Sequence, residues 1–347
     1  MTAPPPTVET PCPLCGATAG TAVWSTSDRA FGVPGRWTVI RCPCGFLYQQ
    51  PRVRDEALAA CYPAGYPRHQ EPSPRLPLRG SPAHVRAARW ALSRRLGYAA
   101  LGDGDAGPLT RLRGRRLARR LSWSCPPWRG QGRLLDVGCG SGSWLGVAQA
   151  LGWQVSGIEM DPDAAGKARR FTPAVHAGDV LSAPFAPASF DLVTAMHVLE
   201  HVPDPVAVAR RMLEWLAPGG LVIVEVPNAG GLGARLFDRA WSGLELPRHL
   251  SHFTPATLAR TMTLAGGEVV WTRQQAKPRH YLWSLGHALR DRRLVALARL
   301  AERRAVYGVL KLALEVTLPL VSRLGAGEVV RVGVVRRAQP RARSRDG

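Results

Sequence analysis

The chain has 347 residues, of which 46% are hydrophobic, and a formal net charge of +21. This length accommodates one α/β domain of about 200 residues with one or two smaller modules, and the hydrophobic content excludes wholesale disorder. The first residues carry neither a basic region nor an apolar run, and the longest apolar segment, Val306–Val321, is interrupted by Lys311, Glu315 and Pro319. We therefore expect a cytoplasmic protein without a secretion signal or a transmembrane segment.

The positive charge comes almost entirely from arginine, because the sequence contains only three lysines. Twelve arginines lie between Arg75 and Arg120, and the last residues, RRAQPRARSRDG, form a second basic segment. A solvated basic face explains such a pattern, and so does a binding surface for anionic lipid, a nucleotide-linked substrate or RNA. Composition leaves both interpretations open.

Changes in composition divide the chain into six segments. They are a disordered tail over 1–10, a Cys-rich knuckle over 11–52, an Arg- and Pro-rich helical linker or cap over 53–130, an α/β core over 131–275, a helical insert with the last strand over 276–336, and a basic disordered tail over 337–347. The knuckle is too short to bury a core of its own, so we expect a metal ion to stabilise it.

Four cysteines of the knuckle are the predicted metal ligands. They are Cys12, Cys15, Cys42 and Cys44. Four thiolates presented by two turns suit tetrahedral Zn²⁺, and a site without an open position indicates a structural role. The second pair has C-x-C spacing where C-x-x-C is usual, so a displaced ligand could be replaced by Cys61 or His69.

From residue 131 the sequence alternates short apolar runs with helical patterns. The predicted strands are Arg133–Val137, Gln154–Glu159, Ala174–Gly178, Phe190–Met196, Leu221–Val226, Glu268–Thr272 and Val329–Val335. Asp161, Asp204 and Thr254 each precede a proline and predict helix starts, because these side chains cap helices and proline fits the first helical position. The alternation predicts an α/β fold with a doubly wound, mostly parallel, Rossmann-like sheet.

A glycine-rich turn, LLDVGCGSG, follows the first core strand. Its glycines, Gly138, Gly140 and Gly142, let the backbone approach a ligand closely. Dinucleotide binding is the first alternative, but Ser143 replaces the third glycine of that fingerprint and Asp136 precedes the loop. A carboxylate at this place repels a pyrophosphate and attracts the cationic amino-acid end of S-adenosylmethionine (SAM). We therefore expect Asp136 and the three glycines to bind SAM.

Acidic residues also follow the next two core strands. Glu159 ends the second strand, where a carboxylate can accept hydrogen bonds from both ribose hydroxyls. Asp179 and Val180 follow the third strand, where the carboxylate can bind the adenine amino group and the valine can pack on the ring. Three acids at successive strand ends, together with the glycine loop, predict one SAM site.

Four motifs of the core carry a resemblance to a known family. LLDVGCGSG, GIEMD, AGDV and FDLVTAMHVLEHVPDP resemble the class I SAM-dependent methyltransferases, particularly the ubiquinone-biosynthesis-like bacterial branch. The resemblance implies a seven-stranded sheet whose last strand, here Val329–Val335, is antiparallel. It also implies that His197, besides the residues named above, contacts the cofactor. The segment LPRHLSHFTPATLARTMTLAGGEVV resembles the part of these enzymes that faces the acceptor.

Histidines are the candidate general bases. They are His197, His201, His249 and His252. Orientation supplies most of the rate of methyl transfer, and a positioned base adds about 10²–10⁴-fold when the acceptor loses a proton. We prefer His249 as the catalytic base, because it lies in the loop expected over the acceptor, and His201 of the LEHV motif is the second candidate.

The predicted function is SAM-dependent methylation of a small-molecule, sugar, glycan or natural-product acceptor, foremost at oxygen. An RNA methyltransferase with zinc-assisted RNA binding is one alternative, although Thr194–His197 replaces the Asn/Asp-Pro-Pro-Tyr/Phe clamp of enzymes that methylate exocyclic base amines. C-methylation of a nucleotide-linked sugar is another, because a zinc knuckle beside this core resembles sugar C-methyltransferases, although their larger C-terminal domain is missing. A non-enzymatic binding module is disfavoured, because the cofactor residues are all present.

The helical insert carries an apolar stripe. Its members are Val306, Leu310, Ala313, Leu314 and Thr317. Lys311 and Glu315 are predicted to form an i,i+4 ion pair on the other side of the same helix. The stripe predicts a lid packed over the sheet, and the alternative is an interfacial helix in peripheral contact with an anionic membrane or a lipid-linked acceptor.

Overall fold

The computed structural model describes residues 3–63, 66, 69–102 and 106–337. The predicted basic tail after residue 337 and the first two residues of the predicted N-terminal tail lie outside the described residues. The strands are β1 (Thr7–Val8), β2 (Thr21–Thr26), β3 (Trp37–Arg41), β4 (Leu47–Gln49), β5 (Arg52–Val53), β6 (Arg133–Val137), β7 (Gln154–Glu159), β8 (Val175–Ala177), β9 (Phe190–Met196), β10 (Leu216–Pro227), β11 (Ser251–His252), β12 (Gly267–Gln275) and β13 (Val329–Arg336). The α-helices are α1 (Asp55–Leu58), α2 (Pro82–Leu96), α3 (Pro108–Ser124), α4 (Ser143–Ala150), α5 (Pro162–Ala168), α6 (Pro205–Glu214), α7 (Leu232–Phe237), α8 (Pro255–Leu264), α9 (Pro278–Asp291), α10 (Val295–Glu302) and α11 (Arg304–Arg323).

The described residues form two compact units. The nucleotide-loop unit comprises those of 65–195 and 214–222, and it contains the glycine loop and the acidic strand ends. The knuckle unit comprises those of 1–64, 196–213 and 223–347, and it contains the cysteine pairs and the candidate bases. The six predicted segments follow composition, and their boundaries stay a prediction.

Seven strands are hydrogen-bonded in the order β12-β13-β10-β9-β6-β7-β8. β6 pairs in parallel with both β7 and β9, whereas β12 and β13 are antiparallel. Leu134, Leu135 and Val137 of β6 are fully buried, as expected for a parallel strand covered on both faces. β6, β7 and β9 begin and end at the predicted residues. The predicted doubly wound, mostly parallel sheet with an antiparallel last strand is confirmed.

The predicted helix starts have the expected caps. The Asp161 side chain accepts a hydrogen bond from Ala164 N at 2.7 Å, which caps α5. Thr254 and Thr257 form a reciprocal capping box at the start of α8. Helix α6, which begins after Asp204, ends at Glu214, and the chain enters β10 at Leu216.

The cysteine knuckle belongs to a four-stranded sheet with the order β11-β4-β3-β2. β2, β3 and β4 come from the N-terminal segment, whereas β11 comes from the loop that carries the candidate bases. Ser251 pairs with Tyr48, and His252 pairs with Leu47. The knuckle therefore gains its edge strand from a segment about 200 residues later in the chain, which its own sequence does not indicate.

Helices α9, α10 and α11 occupy the predicted insert. Val306, Leu310 and Leu314 of the predicted stripe are half-buried, whereas Ala313 and Thr317 are exposed. The stripe is therefore displaced, because Leu318 rather than Thr317 continues it into the interior. The buried side of α11 packs against Ala276 and Tyr281.

Helix α11 is long and apolar enough to span a membrane by length and composition only, so the expectation of no transmembrane segment stays a prediction. α11 is a continuous helix of 20 residues, and 6% of its apolar stretch of 18 residues is buried. Lys311 and Glu315 form the predicted ion pair, with 3.6 Å between Nζ and Oε1. Length and composition are weak evidence for spanning, because helices of non-membrane proteins meet the same test.

Candidate functional site

The glycine loop after β6 turns back by means of left-handed backbone conformations. Gly138, Gly140 and Gly142 have φ values of 68°, 54° and 86°. Residues with a side chain rarely adopt these angles, and a Cβ at Gly142 would lie 2.9 Å from Ala168 Cα. The loop is tied to β7, because Gly138 N donates to Ile158 O at 2.8 Å.

Two buried carboxylates lie next to this loop. Asp136 Oδ1 accepts a hydrogen bond from Thr194 Oγ1 at 2.6 Å. Glu159 Oε2 accepts from Gly140 N at 2.7 Å, and its Oε1 accepts from Asp161 N at 3.0 Å. Glu159 therefore fixes the shape of the loop through backbone N–H groups, in addition to its predicted role toward a ribose.

The third predicted acidic position differs in environment. Asp179 is exposed, and its Oδ1 accepts a hydrogen bond from Leu181 N at 2.6 Å, whereas Val180 is buried. The acids Asp136, Glu159 and Asp179 lie in the same unit, at or just beyond the carboxyl ends of β6, β7 and β8. Nucleotides bind at this edge of an open parallel sheet. The individual contacts of these residues with SAM stay predictions.

The imidazole of His69 also lies near this edge. From the sequence, His69 was expected only as a substitute zinc ligand. Its Nε2 lies 3.9 Å from Glu159 Oε1, and its Nδ1 lies 3.6 Å from Asp161 Oδ2. Lys167 Nζ donates to His69 O at 2.7 Å and holds the segment in place. The alternative of His69 as a zinc ligand is therefore not supported. The sequence did not indicate this position of His69, because it is a single histidine in an irregular segment.

In the knuckle unit, His197 follows β9 directly and has a left-handed φ of 61°. Its Nδ1 lies 3.1 Å from Glu200 Oε1, and its Nε2 lies 3.2 Å from Glu225 Oε1. Burial lowers the pKa of His197, but the hydrogen bonds to the two carboxylates outweigh burial and raise it overall. A carboxylate at each ring nitrogen favours the imidazolium and fixes the ring. The predicted cofactor contact of His197 stays a prediction.

Glu225 of β10 is the centre of a charge network that the sequence analysis missed. Its Oε1 lies 3.1 Å from Lys277 Nζ, and its Oε2 lies 3.0 Å from Arg331 Nε. Burial raises the pKa of Glu225, but His197 and the two cations outweigh burial and lower it well below its usual value. The sequence does contain one sign of this network: Glu225 is an acid inside the apolar strand LVIVEVP, and a buried charge needs a partner.

His201 and His249, the two predicted catalytic residues, are neighbours. Their rings are 4.6 Å apart and nearly perpendicular. His249 Nδ1 lies 2.8 Å from Gly243 O, so this nitrogen is the donor and Nε2 keeps its lone pair. His201 Nδ1 lies 2.9 Å from the Tyr62 hydroxyl. Burial lowers the pKa of His249 to about 3, and burial together with His249 lowers the pKa of His201 to about 4.

Glu200 completes this group. Ligand atoms of Glu200, His201 and His249 lie within 4.8 Å of one another, a spacing that a metal ion could also bridge. Glu200 is 1% exposed, and its Oε2 accepts no hydrogen bond from any of the described residues. The main chain of Glu200 binds the loop of the candidate bases, because its carbonyl accepts from Leu250 N at 2.7 Å.

The four predicted zinc ligands come together. The Sγ atoms of Cys12, Cys15, Cys42 and Cys44 lie within 4.8 Å of one another. The Cys12–Cys44 and Cys15–Cys42 sulfur distances are 3.8 and 3.4 Å. Four sulfurs at about 2.3 Å from Zn²⁺ are roughly 3.8 Å apart, so the spacing fits the ion. The C-x-C pair therefore completes the set without a substitute, and Cys61 lies elsewhere, with its thiol 3.8 Å from Ala57 O.

Each cysteine turn closes on a glycine, four residues after the first cysteine in one turn and three residues after it in the other. Gly16 N donates to Cys12 O and Gly45 N donates to Cys42 O, both at 2.8 Å, and both glycines have positive φ. Hydrogen bonding from Ala17 N and the neighbouring thiols lowers the pKa of Cys15 to about 7, whereas burial raises the pKa of Cys12. Four crowded thiols cannot all ionise without a cation, so the donor set matches a divalent metal.

The α/β core of this chain is similar in sequence to known proteins. A family model for the methyltransferase domain matches residues 109–271. The ubiquinone biosynthesis O-methyltransferase of Paracidovorax citrulli is 34% identical over 173 residues, which cover 44% of this chain and 71% of that protein. The protein of the same name from Xanthomonas campestris pv. campestris is 38% identical over 104 residues, 28% of this chain and 43% of the relative. The chain thus spans less than half the length of this second relative.

Two solved structures are similar to this chain at low sequence identity. A SAM-dependent methyltransferase from Thermotoga maritima is 18% identical with a TM-score of 0.42, over 72% of this chain and 94% of that chain. A SAM-dependent methyltransferase from Mesorhizobium loti is 17% identical with a TM-score of 0.42, over 63% of this chain and 97% of that chain.

Proposed function

The chain belongs to the class I SAM-dependent methyltransferases, and on that premise we propose that it methylates a hydroxyl oxygen of a small-molecule, glycan or natural-product acceptor. The similarity to ubiquinone biosynthesis O-methyltransferases supports oxygen as the acceptor atom. The observation that carries the proposal is the contact between the His201 and His249 imidazoles, whose pKa values are both lowered by burial.

The proposed chemistry needs an acceptor hydroxyl that is held in line with the methyl group, and a side chain that takes its proton. When bound, SAM supplies a methyl group on a positive sulfur, which is a good leaving group. His249 holds an unprotonated Nε2 because its Nδ1 donates to Gly243 O. We propose that this Nε2 takes the hydroxyl proton as the new O–C bond forms. His201 positions the ring of His249 by edge contact and is the second candidate for the same proton.

We also propose that the four-cysteine cluster holds a structural Zn²⁺. Cys12, Cys15, Cys42 and Cys44 would fill all four positions of a tetrahedral ion, so no position is open for an acceptor. The ion would join the turn between β3 and β4 to the turn that precedes β2. Because β4 pairs with β11, zinc would also stabilise the loop of the candidate bases.

The test separates cofactor binding from catalysis. Calorimetry should show binding of S-adenosylhomocysteine to the full chain, and transfer from labelled SAM to phenolic and sugar hydroxyls should follow. His249→Ala should lower kcat by about 10²–10⁴-fold and leave the affinity for S-adenosylhomocysteine unchanged. His84→Ala, an exposed residue of α2, is the matched control. A chain that binds neither SAM nor its product would refute the enzyme assignment.

A groove between α2 and α3 favours RNA methylation as a second candidate function. Arg113, Arg116 and Arg120 line it from one side of α3. Three guanidinium groups on one face suit a phosphate backbone. RNA binding that falls steeply with salt and is lost in an Arg113→Glu/Arg116→Glu/Arg120→Glu variant would promote this function over the first. No RNA binding at low salt would eliminate it.

A further inference from the structure

Helix α11 carries an apolar stripe on its solvent side as well as on its buried side. Its members and their exposed fractions are Val309 at 70%, Leu312 at 64%, Val316 at 76% and Leu320 at 59%. Their spacing of three or four residues places them on one face of the helix. The opposite face, which includes Leu318, packs against Ala276 and Tyr281. The exposed stripe is therefore additional to what the fold needs.

Helix α10 and the turn before it expose further apolar residues. They are Leu294, Val295, Leu297 and Leu300, each 42–49% exposed. α10 contacts α11, so the two helices form one element. We call these four residues and the exposed stripe of α11 the α10–α11 surface. A single exposed apolar residue is ordinary, whereas eight exposed leucines and valines in two contacting helices indicate a surface that binds a partner.

Arginines without ion-pair partners lie in α10 and at its two ends, next to its apolar residues in the sequence. They are Arg292, Arg293, Arg299, Arg303 and Arg304, all exposed, and none forms an ion pair with another described residue. The neighbouring acids are already paired, because Asp291 lies 2.6 Å from Arg29 and Glu302 binds Arg290. This part of the knuckle unit therefore combines exposed apolar side chains with uncompensated positive charge.

These observations favour one partner. Apolar side chains flanked by arginines match the boundary between headgroups and acyl chains of an anionic bilayer. A protein partner with an apolar face would leave the five arginines without a role. We propose that the α10–α11 surface binds an anionic lipid bilayer, with its apolar residues among the acyl chains and its arginines at the lipid phosphates. The proposal holds whichever acceptor is methylated.

The fold favours a helix that lies on the membrane over one that crosses it. β12 precedes the three helices and β13 follows them, and these two strands pair with each other along their length. The chain thus enters and leaves the insert on the same body. One side of α11 is also engaged, because Leu318 packs in the interior of the unit. A spanning helix would have its two ends on opposite sides of the bilayer.

The test is sedimentation of the full-length protein with vesicles. We expect binding to vesicles of phosphatidylglycerol and phosphatidylcholine, weaker binding to phosphatidylcholine alone, and weaker binding at high salt. Leu312→Asp/Val316→Asp and, separately, Arg292→Glu/Arg293→Glu should each lower the partition coefficient by roughly tenfold or more. Both variants should keep the circular dichroism spectrum and the affinity for S-adenosylhomocysteine of the parent, which separates this proposal from the proposed function.

Matched controls carry the same changes on α3. Leu109 is 71% exposed, and Arg115 and Arg119 are exposed on the same helix, outside the arginine groove. Leu109→Asp and Arg115→Glu/Arg119→Glu should leave vesicle binding unchanged. The proposal is overturned by no binding to anionic vesicles, or by loss of binding in the α3 variants alone. It is also overturned if the protein forms a dimer without lipid and Val316→Asp dissociates that dimer, because the surface would then bind a second copy. Resistance to carbonate extraction from membranes would likewise overturn it, because the helix would then span the bilayer.

Discussion

Arg248 and Asp28 form a buried ion pair with two parallel hydrogen bonds. The Nη1–Oδ2 and Nη2–Oδ1 distances are both 2.8 Å, and both side chains are fully buried. Burial raises the pKa of Asp28, but the guanidinium and two backbone N–H groups outweigh burial and lower it. Asp28 follows β2 of the knuckle sheet, and Arg248 immediately precedes His249. The pair therefore fixes the loop of the candidate base to the N-terminal segment.

Removal of Arg248 should be strongly destabilising. Arg248→Met leaves the Asp28 carboxylate buried without its partner, so we expect the free energy of unfolding to fall by about 3–5 kcal/mol. Urea denaturation followed by circular dichroism measures this. The control is Arg170→Met, because the Arg170–Glu71 pair is 58% and 66% exposed and should contribute less than about 1 kcal/mol. Equal losses in the two variants would contradict the assignment.

Metal analysis tests the cysteine cluster. We expect about one zinc per purified chain, and less than about half of that in Cys42→Ser, because three ligands bind the ion less tightly. Loss of the metal should lower the turnover rate, because β4 pairs with β11 in the loop of the candidate bases. The affinity for S-adenosylhomocysteine should stay unchanged. Cys125→Ser, which changes a buried cysteine outside the cluster, should retain the metal. Unchanged zinc in Cys42→Ser would exclude this site.

Glu159 should matter for cofactor affinity. Glu159→Ala removes the predicted ribose acceptor and the hydrogen bond to Gly140 N, so we expect about 10- to 100-fold weaker binding of S-adenosylhomocysteine by calorimetry. Asp163→Ala, an exposed acid in the first turn of α5, is the control and should change affinity by less than about twofold. If Glu159→Ala binds as tightly as the parent, the strand-end assignment is wrong.

The buried imidazoles predict a pH dependence of stability. Burial lowers the pKa of His249 and of His252 to about 3, and the pKa of His201 is about 4, against 6.5 for an exposed histidine. Between pH 6.5 and pH 4 the unfolded chain thus binds more protons than the folded one, so stability falls as the pH falls through this range.

The size of this effect can be checked with one substitution. Each pKa unit corresponds to about 1.4 kcal/mol, so His252→Gln should flatten the plot of unfolding free energy against pH between pH 6.5 and 4. His84→Gln, at an exposed position, should leave the plot unchanged. An identical slope in the parent and in His252→Gln would show that His252 titrates normally in the folded protein.

Local patterns were sufficient for much of the fold. β6, β7 and β9 were predicted to the residue, because each is a short apolar run that begins shortly after a turn. The caps at Asp161 and Thr254 act within three residues, so their partners were already in the local sequence. The cysteine pairs were recognisable because ligands of one metal must recur at turn spacing.

The sequence by itself therefore determined the doubly wound core, the glycine loop and the four cysteines that meet. Only the tertiary structure decided which distant segments join: β11 completing the knuckle sheet, Arg248 binding Asp28 across 220 positions, and Glu225 gathering Lys277 and Arg331. It also showed that α11 keeps an apolar face toward solvent. Helix and strand patterns report the period of apolar residues, whereas partner choice depends on burial and charge compensation between segments whose spacing leaves no local trace.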